Sequence, residues 1–216
     1  MIVSDSPYGL ANKISQLFDK KDGFFIEAGA NNGIWQSNTL YLETELGWSG
    51  LLIEPNKQKF EECKKNRKDE RNIFYNCALV DFDYEQNYIE GYFNENDYEN
   101  SLMAQVCVNN PEFSKDDKRW QNKLKVQVPA RRLSDLLSEN NIEEIDFLSL
   151  DVEGYEYNVL NGIDFKHHFP KMICAEIRDA HRFGSESFFH IKQLLEKNNY
   201  TLTSKLAHNY FFERMS

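Results

Sequence analysis

Apolar residues fall along the chain in short runs that alternate with amphipathic stretches. Leu10, Ile14, Leu17 and Phe18 recur at the spacing of one helical face and predict a helix between Pro7 and Lys20. Phe24-Phe25-Ile26, bounded by Gly23 and Gly29, reads as a buried strand. Ser37 can cap a helix running to about Leu46. Gly50 to Ile53 predicts a second strand, Asn56 to Asn66 an amphipathic helix, and Ile73 to Val80 a third strand. From Asp81 to Ala130 the rhythm breaks, and the stretch is too long for an ordinary loop, so it reads as an insertion. Alternation resumes with helix Leu133 to Glu139, strand Asp146 to Leu150, helix Tyr155 to Leu160, strand Met172 to Ala175 and helix Glu186 to Lys197. Tyr200 to Thr203 and Tyr210 to Phe212 read as a closing hairpin. Such alternation predicts an α/β fold with a mostly parallel sheet covered by helices on both faces. Ligands of these sheets bind at the carboxyl ends of the strands, where the strand order switches.

Composition narrows the function classes. The 216 residues suit a single domain, with residues 1–22 as an N-terminal helical segment and 82–130 as an insertion or lid facing the substrate. Hydrophobic residues make up 41%, enough for a conventional core. No apolar run approaches the roughly 18 residues of a membrane span, and the start lacks the pattern of a secretory leader. A net charge of −10 argues against nucleic acid and anionic membranes as partners. Cys63, Cys77, Cys107 and Cys174 are scattered, without metal-finger spacing, which fits a reduced, cytoplasmic protein. Oligomeric state is left open, a homo-oligomer included.

The chemistry gathers just after the strands. Glu27-Ala28-Gly29-Ala30-Asn31-Asn32-Gly33 follows the first, Glu54-Pro55 the second, Asp81 the third, Asp151-Val152-Glu153-Gly154 the fourth and Glu176 the fifth. Five successive strands therefore end in a carboxylate. At the mouth of one sheet these would repel one another unless a cation sits among them. Gly29 lets the backbone approach a ligand, and Gly33 lets the next helix start close to the sheet. Glu27 stands where a dinucleotide fingerprint has its first glycine, the wrong charge for a pyrophosphate but suited to an ammonium or sulfonium. Glu54 can accept both ribose hydroxyl protons. S-adenosylmethionine unites these features: Glu27 near the ammonium, Glu54 on the ribose, Asp81 or its neighbours near the adenine.

Phe25 to Gly33, Ile53-Glu54-Pro55, Arg132 to Leu137 and Ile145 to Glu156, ending in Asp-Val-Glu-Gly-x-Glu, resemble the FkbM family of S-adenosylmethionine-dependent methyltransferases. The likeness runs in order from about residue 23 to 178. It implies the class I methyltransferase fold, a Rossmann-like seven-stranded sheet whose last strand is antiparallel, and O-methylation of sugars or natural-product hydroxyls, with S-adenosylhomocysteine as product. It implies that Glu27, Gly29 and Gly33 belong to the cofactor loop and Glu54 to the ribose contact; Ala30, Asn31, Pro55, Asp81 and Asp151 are the further candidates for the donor site. Ser101 resembles a serine that family members carry before the fourth strand. The stretch from Asp83 to Gln127 aligns with nothing and leaves the acceptor unassigned.

A hydroxyl acceptor needs a base for its proton. Asp151, Glu176 and His181 are the catalytic candidates, with Glu153 on the acceptor side. A magnesium ion held by Asp151, Glu153, Glu176 and His181 is the alternative. Lys115 to Arg132 carries seven bases and two acids, so Arg119, Arg131 and Arg132 could receive a phosphate of a nucleotide-sugar or glycan precursor; a solvated face pairing with the acidic stretch before it is the competing account. The leading reading is an O-methyltransferase of polysaccharide or glycoconjugate biosynthesis. The alternatives are a methyltransferase for a small natural product or protein side chain, and a catalytically silent cofactor-binding module.

Overall fold

The structure, a computed structural model, describes residues 9–94, 105–106, 123–177 and 188–215. Helix α1 (Leu10–Leu17) leads into β1 (Phe24–Ala28), followed by α2 (Leu40–Leu46), β2 (Ser49–Ile53), α3 (Lys57–Asn66) and β3 (Ile73–Tyr75). After β4 (Ala78–Leu79), β5 (Tyr88–Asn94), β6 (Gln105–Val106) and β7 (Lys123–Arg131) come α4 (Leu133–Glu139), β8 (Phe147–Leu150), α5 (Glu156–Asn161), β9 (Met172–Glu176), α6 (Phe188–Lys197), β10 (Tyr200–Leu206) and β11 (Asn209–Arg214).

Seven strands form the main sheet in the order β10-β11-β9-β8-β1-β2-β3. β1 pairs in parallel with β2 on one side and β8 on the other, so the strand order switches at β1/β8. β11 alone runs against its neighbours β9 and β10. This is the class I methyltransferase topology that the family resemblance implies, and its open mouth lies at the carboxyl ends of β1, β2 and β8.

Alternation within each strand builds two cores. Ile26, Leu148 and Ile173 face Leu133, Leu136, Val159, Leu160, Ile191 and Leu195 of α4–α6. Phe25, Phe147, Cys174 and Phe211 face Leu10, Ile14, Leu42, Trp48 and Cys63. Burial on both faces is why the strands read as nearly continuous apolar runs. Asn56 caps α3 as its sequence promises, its side-chain oxygen accepting from the amides of Gln58 and Lys59. Ser37 Oγ accepts from the Leu40 amide at the start of α2.

The expected third strand divides. β3 ends at Tyr75, because Asn76 Nδ2 donates to the carbonyls of Glu54 and Pro55 and turns the chain out of the main sheet. β4 then pairs with β7 in a second sheet of order β4-β7-β5-β6. Its small core is Ala78, Val80, Ile89, Val128 and Ala130. Tyr155, in the turn after β8, packs against both this cluster and the core under α4–α6. The insertion is thereby seated beside the mouth of the main sheet. Among the described residues, no helix is long and apolar enough to cross a membrane.

Candidate functional site

Three loops meet where the strand order switches. Gly29 and Ala30 both donate their amides to the Ile53 carbonyl at 3.0 Å, and the Asp151 amide donates to the Ala28 carbonyl at 3.0 Å. The segment after β1 carries left-handed backbone at Gly29 (φ 86°), Asn31 (φ 48°), Gly33 (φ 78°) and Gln36 (φ 57°). At Gly33 a Cβ would lie 2.8 Å from Cys63 Sγ, so its absence lets α3 pass close beneath the loop.

Glu54 closes the loop from below. Its Oε2 accepts from the Asn31 amide and its Oε1 from the Asn56 amide, each at 2.8 Å. Burial pushes its carboxyl up to about 7, opposed by those two amides and by the charge of Lys59. Each carboxylate oxygen keeps a further lone pair.

Asp151, Glu153 and Glu176 converge on the other side of the mouth. Each offers a carboxylate oxygen, and the three lie within 4.8 Å of one another. Burial, followed by the charge of Glu176 and a hydrogen bond with it, holds the Asp151 carboxyl well above the usual carboxylate range. Glu153 sits at φ 55°, an unfavourable conformation for this residue. Glu156 sustains it: its buried Oε1 accepts from the Gly154 amide at 3.0 Å and the Val152 amide at 3.3 Å. Burial pushes the Glu156 carboxyl up to about 7. Such a trio can take a cation, either an ammonium or a hard dication, or it can relay a proton.

Among the described residues, four buried side-chain polar atoms lack a hydrogen-bond partner, and three belong to this mouth: Asn31 Oδ1, Asn56 Nδ2 and Asp151 Oδ1. Buried polar atoms are ordinarily paired. They are two acceptors and one donor, one from each of the loops after β1, β2 and β8.

Several expected roles change with the geometry. Glu27 does not face the mouth with a spare carboxylate. Ser37 Oγ (2.9 Å), the Asn38 amide (2.8 Å), Thr39 Oγ1 (2.7 Å) and Arg67 Nη1 (3.3 Å) surround it, so it shapes the loop from behind. Asp81 does not end β3; it follows β4, and its Oδ2 accepts from Asn158 Nδ2 at 2.6 Å. Arg131 pairs with Glu139 and lies over the Tyr75 ring. Arg132 donates to the Phe82 carbonyl at 3.2 Å and lies over the Phe82 ring. Both arginines thus have partners close to them in the fold, neither carboxylate among them lying in the acidic stretch before Lys115. His168 is buried with Nδ1 3.0 Å from Ser134 Oγ. Burial pushes the Cys63 and Cys77 thiols up to about 12, in keeping with inert packing. Ser101, Arg119, His181 and Cys107 lie outside the described residues.

Sequence reasoning missed Asn56 and Glu156 as site residues. Asn56 carries a helix-capping signal that hides its second amide function. Glu156 closes the Asp-Val-Glu-Gly-x-Glu segment, yet nothing in one sequence says that its oxygen turns back onto the amides of that segment.

The family model described as the methyltransferase FkbM domain matches residues 27–202. "Methyltransferase 1" of Beauveria bassiana (strain ARSEF 2860) is 31% identical over 195 residues, covering 84% of this chain and 73% of that protein. "Methyltransferase sdnD" of Sordaria araneosa is 26% identical over 185 residues, 77% of this chain and 68% of that protein. Among solved structures, the methyltransferase FkbM from Methylobacillus flagellatus KT superposes with a TM-score of 0.57 at 15% identity. It covers 98% of this chain, which spans 48% of that protein's length. The magnesium protoporphyrin IX methyltransferase from Synechocystis PCC 6803, solved with bound SAM, gives a TM-score of 0.52 at 8% identity, covering 96% of this chain and 77% of that one. At these identities the likeness to solved structures is one of fold.

Proposed function

From the premise that this chain belongs to the FkbM family of S-adenosylmethionine-dependent methyltransferases, we propose that it moves a methyl group from S-adenosylmethionine to a sugar hydroxyl, in a nucleotide-sugar or glycan precursor of polysaccharide or glycoconjugate biosynthesis. The observation that carries the donor site is the Glu54 carboxylate, which ties the Asn31 and Asn56 amides together, with buried, unpartnered Asn31 Oδ1, Asn56 Nδ2 and Asp151 Oδ1 on the loops after β1, β2 and β8. The two acceptor oxygens suit an ammonium or hydroxyl donor, and the amide nitrogen suits a hydroxyl or ring-nitrogen acceptor. Glu54 takes the ribose hydroxyls through its remaining lone pairs. Gly29, Ala30, Gly33 and Pro55 contribute close-approaching backbone, and Asp81 is assigned to the adenine. When bound, the donor supplies a methyl already activated by its sulfonium.

The chain's own part in the reaction is alignment and proton transfer. The loops after β1 and β8 fix where the acceptor oxygen must sit, and holding it in line supplies much of the rate. With the donor bound, the methyl would pass from its sulfonium to the acceptor oxygen, leaving S-adenosylhomocysteine, and the acceptor's hydroxyl proton would go to the Asp151 carboxylate beside Glu176. Burial and the charge of the neighbouring Glu176 raise the proton affinity of the Asp151 carboxylate above that of a solvated one. Glu153, held inward by the turn that Glu156 braces, supports the acceptor side.

Calorimetry with S-adenosylmethionine, then a methyl-transfer screen over nucleotide-sugars, natural-product hydroxyls and peptides, tests this reading. Turnover on sugar hydroxyls supports it; turnover confined to the other pools redirects the acceptor, and binding without any turnover indicates a silent module. Asp151, Glu153 and Glu176 are also the set that a magnesium ion would take, and running the screen with and without a chelator separates the two arrangements.

A further inference from the structure

Arg67 stands at the C-terminal end of α3 with its side chain fully buried. Its guanidinium reaches back under the loop between β1 and α2. Nε donates to Glu43 Oε2 at 2.8 Å, and Nη1 to Ser37 Oγ, Glu27 Oε2 and the Gly33 carbonyl at 3.2, 3.3 and 3.3 Å. Nη2 donates to Thr39 Oγ1 at 3.1 Å and lies 2.7 Å from Glu43 Oε2. All three nitrogens are thus engaged, and apart from Glu27 at the end of β1 every partner lies on the loop or on α2. One guanidinium stands between two carboxylates, so the floor of the loop retains a net negative charge.

We propose that Arg67 is a positioning residue for donor binding: its buried guanidinium sets the shape of the loop from Gly29 to Thr39, and through that loop presents Asn31 to the donor. The inference rests on the donor reading given above and adds a residue that touches neither ligand. Two of the loop's left-handed residues, Asn31 and Gln36, are not glycine, and for them that conformation persists only where surrounding contacts over-determine it. From the mouth side Glu54 ties the Asn31 amide; from the opposite side Arg67 ties the Gly33 carbonyl, Ser37 and Thr39. Asn38, between the latter two, donates its amide to Glu27 at 2.8 Å and its Nδ2 to Ser149 Oγ of β8 at 3.0 Å, so the loop's far end is also registered against β8. Lysine cannot reproduce the planar fork that meets five different groups.

The test is calorimetry with S-adenosylhomocysteine, together with amide hydrogen exchange, on the wild type, Arg67→Lys, Thr39→Val and the control Arg71→Ala. Arg71 is exposed and pairs with Asp69. Arg67→Lys is expected to lower affinity about tenfold or more, the order of one lost charged hydrogen bond. Exchange should speed up at the amides of Asn31, Asn38 and Leu40 while those of β8, β9 and β11 keep their protection. Thr39→Val, which removes one partner and keeps the guanidinium, should move both readings the same way by less, and it carries the test if Arg67→Lys does not fold. Arg71→Ala should bind as the wild type. Wild-type binding with unchanged affinity in the Arg67 and Thr39 variants would overturn the proposal, as would a uniform rise in exchange across the main sheet. A wild type that does not bind the probe overturns the donor reading instead.

Discussion

A Cβ on Gly29 would lie 1.9 Å from the carbonyl oxygen of Asp151. The loop after β1 and the turn after β8 are therefore in contact through backbone, with no room for any side chain at that point. The φ of 86° at Gly29 adds a second reason for glycine. Gly29→Ala is expected to force the two loops apart, lowering stability by at least about 2 kcal/mol and abolishing donor binding. Thermal denaturation and calorimetry on the same preparation check both parts.

Glu54 links the donor site to pH. Its carboxyl lies at about 7 in the folded chain against 4.5 for an unburied one, so between those values the folded state holds a proton that the unfolded state has lost. The stability associated with Glu54 is fully present below about 4.5 and is lost as pH rises through about 7, by up to about 3 kcal/mol. Glu156, also raised to about 7, acts in the same direction and window. Denaturant titrations from pH 4.5 to 8 should show falling stability, with a shallower slope remaining in Glu54→Gln because Glu156 and Asp151 still act in the same direction. Ribose hydroxyls favour the ionised carboxylate, so donor affinity should strengthen from pH 6 to 8 with proton release, measurable by calorimetry in buffers of different ionisation enthalpy.

Tyr155 joins two cores, and its loss should be felt in both. Tyr155→Ala is expected to cost about 2–4 kcal/mol and to speed amide exchange in β5 and β7 more than in β1 and β2. Equal acceleration everywhere would mean that the second sheet does not rely on this contact.

Glu156 supports the turn that carries Glu153. Glu156→Ala frees two backbone amides and removes the brace on a left-handed residue, so turnover should drop by at least about tenfold. Donor affinity should change by less than about threefold, since the Glu54 side of the mouth is untouched. Comparison of single-turnover rates with calorimetric affinities separates the two effects.

Arg131 and Arg132 meet local partners, and their substitution should be mild. Arg131→Ala is expected to cost about 0.2–1 kcal/mol, the ordinary worth of an exposed ion pair, with donor affinity unaltered. A large rise in acceptor KM alone would restore the phosphate role.

The parts of the fold that were legible in the sequence are those governed by local rules. Phe24 to Ile26, Gly50 to Ile53 and Asp146 to Leu150 announce buried parallel strands because both faces meet helices. The left-handed needs of Gly29 and Gly33 are visible because only glycine suits them cheaply. Ser37 is visible as a cap because side-chain capping is a contact between neighbours. What stayed hidden depends on distant contacts. Nothing near Glu27 in the chain says that Arg67, forty residues on, will occupy its carboxylate. Asn76 turns the chain only by meeting the carbonyls of Glu54 and Pro55 in space, so local pattern alone predicts one strand to Val80 with Asp81 at its end where the fold has two. The aromatics Tyr84, Tyr88, Tyr92, Phe93 and Tyr98 suit a hairpin's packed face or a lid, but the pairing of β5 with β7 and of β7 with β4 depends on contacts far apart in the chain. Arg131 and Arg132 were counted as a basic cluster because counting ignores Glu139 and Phe82.

The most direct measurement is the affinity of S-adenosylmethionine for the wild type and for Glu54→Ala, by titration calorimetry at pH 8. The account predicts one site per chain and a loss of about tenfold or more in the variant, the size expected when hydrogen bonds to a charged group are removed. Equal affinities in the two proteins, or no binding to the wild type, would contradict it.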